Sequence, residues 1–192
     1  MPTQTARFSD TKSSHNPDRL PLLTFTVAGQ MYGLPVHQVV RIIEMVTITR
    51  LPGVPDLIQG VINLGGKTVP VMDLRHRFGL PSQAYGLHTP IILVEIDMGH
   101  RIFGLIVDAV EQVLDVAGAD LEITEAVVPP ELAYPMTGGA DHLAGVAKVD
   151  RQMILVLNAP ALLTPTDKVS LAKTLADESA RLTTYPELGE TG

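Results

Sequence analysis

The chain has 192 residues, 45% of them hydrophobic, and a formal net charge of −7, which allows a sizeable core as one compact unit or two small subdomains. Because it contains no cysteine, a disulfide framework, a thiolate metal site and a cysteine nucleophile are excluded, and a reducing, cytoplasmic compartment is expected. The acidic balance without a local Lys/Arg cluster argues against nucleic acid as a partner, and no apolar run approaches the roughly 20 residues that cross a bilayer, so no direct membrane insertion is expected.

Residues 1–20 are polar and aperiodic, which predicts a disordered leader with no signal peptide. The folded part is expected to begin near Leu22. LLTFTV and MYGLPV flank Ala28-Gly29-Gln30 and read as a β-hairpin. VHQVVRII follows, with valines three apart, and predicts one helical turn running into a strand. INL and KTVPVMDL then flank Gly65-Gly66, a pair suited to a type I′ turn. Arg75-His76-Arg77 reads as a solvated strand end.

The same succession then repeats. IILVEI and RIFGLIV flank Asp97–His100, VDAVEQVL is again read as a helical turn before a strand, and AGVAKV and QMILVLN flank Asp150-Arg151. Tyr32–Glu44 aligns without gaps on Phe103–Asp115, pairing Gly33 with Gly104, and Asp56–Asp73 aligns on Asp141–Asn158, pairing Gly60 with Gly145. These four glycines are expected to be scaffold. The Pro- and Gly-rich stretch 124–139 reads as a loop inserted in the second copy. Pro165 followed by Leu171, Leu175 and Leu182 predicts a docked C-terminal α-helix. The duplication therefore predicts an all-β protein of two barrel-like lobes, a first barrel region at about 21–83 and a second at 84–163, with a helix and tail at 164–192.

A catalytic centre is not expected. An aspartate pair across the lobes could activate water, yet Asp73 matches Asn158 and Asp108 matches His37, so each reads instead as a carboxylate capping a backbone amide at a strand end. The histidines (His15, His37, His76, His88, His100 and His142) show no metal-ligand spacing, and no cofactor is expected. Val36, Val39 and Ile42 are a candidate aliphatic contact patch, with core packing the plainer reading of any one of them. Arg41 among them is expected to meet solvent or a partner.

FTVAGQMYGLPVHQVVRII, LPGVPDLIQGVINLGGKTVPVMDLRHRFGL, FGLIVDAVEQVL and LAGVAKVDRQMILVLN together resemble the chemotaxis coupling protein family CheW, over Leu22 to about Leu163. The resemblance implies two five-stranded SH3-like barrels and a non-catalytic adaptor. Its implied partners are the regulatory domain of the histidine kinase CheA and the cytoplasmic tip of methyl-accepting chemoreceptors, the tip meeting Val36, Val39 and Ile42. Where the family usually has Glu this chain has Arg41, and where it usually has Arg this chain has Gly65. An ion pair bracing the hairpin is thereby altered on both sides, and the two positions are expected to govern partner choice. An adaptor of a non-flagellar chemosensory system is the alternative within the family; a hydrolase or an SH3-like nucleic-acid binder are readings from other classes.

Overall fold

The computed structural model describes residues 18–96, 101–123 and 142–183, by backbone alone at 123 and 178–183. Most of the leader, the 124–139 insertion, His15, His100 and the side chain of Leu182 lie outside the described residues. Eleven strands are found among those described: β1 (Arg19–Val27), β2 (Gln30–Pro35), β3 (Val39–Glu44), β4 (Ile58–Leu64), β5 (Lys67–Asp73), β6 (Pro90–Glu95), β7 (Ile102–Ile106), β8 (Ala109–Ala117), β9 (Leu121–Ile123), β10 (Leu143–Val149) and β11 (Gln152–Leu157). The helices are α1 (Leu74–Arg77) and α2 (Pro165–Thr183), with short 3-10 turns such as Val36–Gln38 between elements.

All four expected hairpins form antiparallel pairs. At the β4–β5 turn Gly65 and Gly66 have φ of 59° and 84°, and at the matching β10–β11 turn Asp150 and Arg151 are held at 49° and 66°. The second copy thus makes the same left-handed turn without glycine, at a steric cost the first copy avoids.

The strands do not divide between the lobes at residue 83. One sheet runs β8-β1-β2-β11-β10-β9 and the other β3-β6-β7-β5-β4. Each contains the first hairpin of one copy and the second hairpin of the other, so the copies exchange hairpins and neither barrel is a contiguous half of the chain. Two parallel pairings make the exchange: β2 on β11, with Gly33 opposite Val156, and β7 on β5, with Gly104 opposite Val71. These are the same positions in the two copies. A Cβ on Gly104 would lie 2.6 Å from Val71 Cγ1, and one on Gly33 3.1 Å from Ile154 Cγ2, so a missing side chain lets the exchanged strands close up.

Gly60 and Gly145 also share one role. Their Cβ atoms would stand 2.4 Å from the Thr49 carbonyl oxygen and 2.6 Å from that of Glu122. In one sheet the neighbour is the short strand β9; in the other it is only the isolated bridge Thr49–Val61. This difference makes one sheet six-stranded and the other five-stranded, where five in each was expected.

Alternation along the strands serves two kinds of core. Leu22, Ala147, Ile154 and Val156 fill the inside of the first sheet, and Ile62, Val69, Val71, Ile91 and Leu93 fill that of the second. The opposite faces, with Phe25, Tyr32, Met72, Phe78, Ile92, Phe103 and Leu157, merge into one larger core that joins the sheets. Tyr32 stacks on Phe25 and Phe78 within it.

Three local expectations are corrected. The helical turn appears at Val36–Gln38 but not at its counterpart, where β8 follows Asp108 directly. Asp108 is held there by three partners: its amide donates to the Thr26 carbonyl, and its carboxylate accepts from Ala28 N and from Arg75. Nor do Arg75, His76 and Arg77 end a strand in solvent; they form α1, capped by Asp73, and Arg77 is buried, donating to the Leu162 carbonyl. The fold also begins earlier than Leu22, because β1 starts at Arg19 and pairs there with Ala117.

Pro165 opens α2 at its first turn, where its missing N–H is harmless. Thr164 and Asp167 cap each other: the Thr164 amide donates to the Asp167 carboxylate at 3.0 Å, and the Asp167 amide donates to Thr164 Oγ1 at 3.2 Å. Leu171 is buried in the joint core and Leu175 packs against it.

Candidate partner-binding surface

β3 is one of the two edge strands of the five-stranded sheet. It pairs with β6 through a bulge between Val39 and Arg41, and the same bulge recurs in β8 opposite Thr24, whose hydroxyl donates to the Gln112 carbonyl at 2.8 Å. A bulge turns an extra side chain outward. Here the extra residue is Val40, 46% exposed, with Val46 beyond the strand end at 43%.

The expected contact residues flank this bulge. Val36, Val39 and Ile42 are half-buried and lean on the joint core, so each serves the fold with one face and offers the other to the surface. Val40 lies outside the expected patch, since strict alternation does not reveal a bulge, and Val46 lies beyond the strand. Arg41 is exposed, opposite Leu93 in register. Gly65 is exposed in its turn with no atom within 4 Å of a Cβ built there. β3 and β4 stand at opposite ends of the sheet order. Beyond β3, Met45, Ile48, Arg50, Gln59 and Tyr85 line a shallow pocket of about 270 Å3 with Val46.

Asp73 and Asp108 do lie near each other, with Arg75 between them. Asp73 accepts from the Arg75 amide at 2.7 Å and from the Tyr85 hydroxyl at 2.8 Å. Asp108 takes the Arg75 guanidinium on both oxygens, at 2.7 and 2.6 Å, and Ala28 N at 2.6 Å. Burial opposes ionisation of Asp108, but the Arg75 bond, the Ala28 amide and the Arg75 charge outweigh it and hold its carboxyl below the ordinary range. The Arg75 guanidinium is held above its ordinary range, first by its bond to Asp108. Burial, with the bond to Asp73, pushes the Tyr85 phenol up. Both carboxylates are thus engaged as acceptors that tie turns together, and the cavity they border measures about 30 Å3. No local sequence signal points to this brace, since Arg75 and Asp108 are 33 residues apart in the chain.

Among the described residues no group of three or more His, Asp and Glu could hold a metal ion, and no described helix is long and apolar enough to cross a membrane. His76 shares a hydrogen bond with Gln59, and His88 sits 2.8 Å from Glu44 in the open. His142 is buried against Phe78.

A family model, the CheW-like domain, matches residues 21–166. Chemotaxis protein CheW of Klebsiella aerogenes is 30% identical over 73% of this chain and 80% of its own length. That of Bacillus subtilis is 31% identical over 82% and 94%. The crystal structure of the scaffolding protein TtCheW from Thermoanaerobacter tengcongensis superposes with a TM-score of 0.66 at 33% identity, covering 77% of this chain and 94% of that one. With the match spanning both sheets and the exchange between them, the chain belongs to the CheW family of non-catalytic chemotaxis scaffolding proteins.

Proposed function

We propose that this chain couples chemoreceptors to a histidine kinase, binding the regulatory domain of CheA and the cytoplasmic tip of methyl-accepting chemoreceptors in the cytoplasm. The observation that carries the reading is the CheW-like match from residue 21 to 166. A coupling scaffold needs two docking surfaces held rigidly apart. The single core shared by both sheets supports this, since a close-packed interior resists independent movement of its walls.

For the receptor, the outer faces of Val36, Val39 and Ile42 with Val40 and Val46 make an aliphatic strip suited to the apolar side of a helix. Arg41 stands in this strip and selects a partner that carries a carboxylate there. Gly65 leaves the β4–β5 turn slim, and together the two positions set which receptor or kinase fits.

Pull-down of the chain with the regulatory domain of a CheA and with a receptor-tip fragment tests the coupling role; retention of neither would overturn it. Partner choice is tested by Arg41→Glu combined with Gly65→Arg. Binding of a kinase from a typical chemotaxis operon is expected to strengthen, and unchanged weak binding by the double variant would refute the role of these positions.

A further inference from the structure

A groove of about 350 Å3 lies between α2 and the ends of β5, β6 and β7 in the five-stranded sheet. Its floor is apolar: Val69, Pro70, Ile96, Ile102, Leu171 and Leu175. Its polar rim is Lys67, Thr68, Arg101 and Lys168, and no carboxylate occurs among the described lining residues. Among the described residues the local charge is thus opposite to that of a chain with 21 acidic and 14 basic side chains. The wall formed by α2 is fixed at its start by the Thr164–Asp167 cap and farther along by Thr174, whose hydroxyl donates to the Gly53 carbonyl at 3.0 Å. Ala172, the small residue of that wall, leaves the space open.

We infer that this groove docks an acidic, leucine-bearing helical segment of a partner protein. The apolar floor desolvates the leucines, and Lys67 and Lys168 of the rim take the flanking glutamates. A helix fits because the groove runs along α2, and small residues such as alanine allow two helices to approach closely. The volume is at the lower end of ligand sites, about 300–1,000 Å3, enough for a few aliphatic side chains. The groove shares none of its lining with the β3 strip, so its occupant is a segment other than the receptor helix proposed there.

The test is fluorescence anisotropy on the full chain with a labelled helical peptide of about 18 residues, about five turns, with leucines on one face and glutamates beside them. The chain is expected to bind this peptide at least about tenfold more tightly than a lysine-for-glutamate version, and the binding is expected to weaken as salt rises. Lys67→Glu with Lys168→Glu should cost about tenfold or more, and Ala172→Trp should block the groove, each with an unchanged circular dichroism spectrum. Should Ala172→Trp fail to fold, the lysine pair carries the test alone. Equal binding of the two peptides, or equal affinity of the charge-reversed variant, would overturn the inference. So would a groove that admits the acidic peptide only after residues 184–192 are removed, or that takes laurate in its place. Pull-down of CheA with the lysine pair variant is expected to be unchanged, which separates failure here from failure of the coupling role.

Discussion

Removing Asp108 should loosen the junction between the sheets by a calculable amount. Its carboxylate ties the β1–β2 turn of one sheet, through Ala28 N, to Arg75 in α1, just after β5 of the other. Breaking a fully buried ion pair costs about 3–5 kcal/mol, whereas exposed pairs are worth about 0–1 kcal/mol. The two side chains are 16% and 24% exposed, so the pair lies between, at about 2 kcal/mol. The lost hydrogen bond to the exposed Ala28 amide adds about 1 kcal/mol. Asp108→Ala is therefore expected to cost about 3 kcal/mol, a fall in Tm of about 6–12 °C for a chain of this size.

A double-mutant cycle with Arg75→Ala, followed by urea denaturation, isolates the pairwise part, expected at about 1.5 kcal/mol. A coupling below about 0.5 kcal/mol, the limit for independent sites, would refute the brace. The pH dependence gives a second reading. Because the folded carboxyl is held below its ordinary value, its contribution is complete above the unfolded value of about 4 and is lost as pH falls through the folded one. The stability gap between the parent chain and Asp108→Asn should be constant from neutral pH down to about 5 and then narrow as pH falls further. A gap that widens on acidification would show that the charge is not what stabilises the contact.

Gly104→Ala should cost about 2–3 kcal/mol in denaturant melts, since its Cβ would press on Val71 and Ile91 in the exchanged pair. Gly65→Ala, with open space but a φ of 59°, should cost about 1 kcal/mol, and a larger loss at position 65 than at 104 would contradict the close-approach argument. Replacing Asp150-Arg151 by Asn-Gly should raise stability by about 1 kcal/mol, because φ of 49° and 66° suits that pair without strain. An unchanged or lower Tm would mean that the native turn carries no such strain.

The hairpins, their turns and the family could all be read from residues, because each depends on local signals or on motifs within one stretch. Alternation marked the strands, Gly65-Gly66 marked a turn, and the caps at Asp73 and Asp108 followed from carboxylates at strand ends. The duplication pairs Gly33 with Gly104, and each lies opposite a valine of an exchanged strand. The charges Arg75 and Arg77 were harder. Nothing in their spacing shows that one meets Asp108 and the other reaches the Leu162 carbonyl, since both partners come from the second copy.

Sequence by itself determined that the chain is two copies of a β module with glycine at matched points, and that it belongs with the coupling scaffolds. Tertiary structure alone decided that the copies trade hairpins. A hairpin's own pattern fixes which side faces a core, but not whose core it is; that depends on the parallel closure of Gly33 on Val156 and Gly104 on Val71. The same holds for Val40, turned outward by a bulge that exists only because β3 pairs with β6, and for the groove beside α2, which no single segment contains.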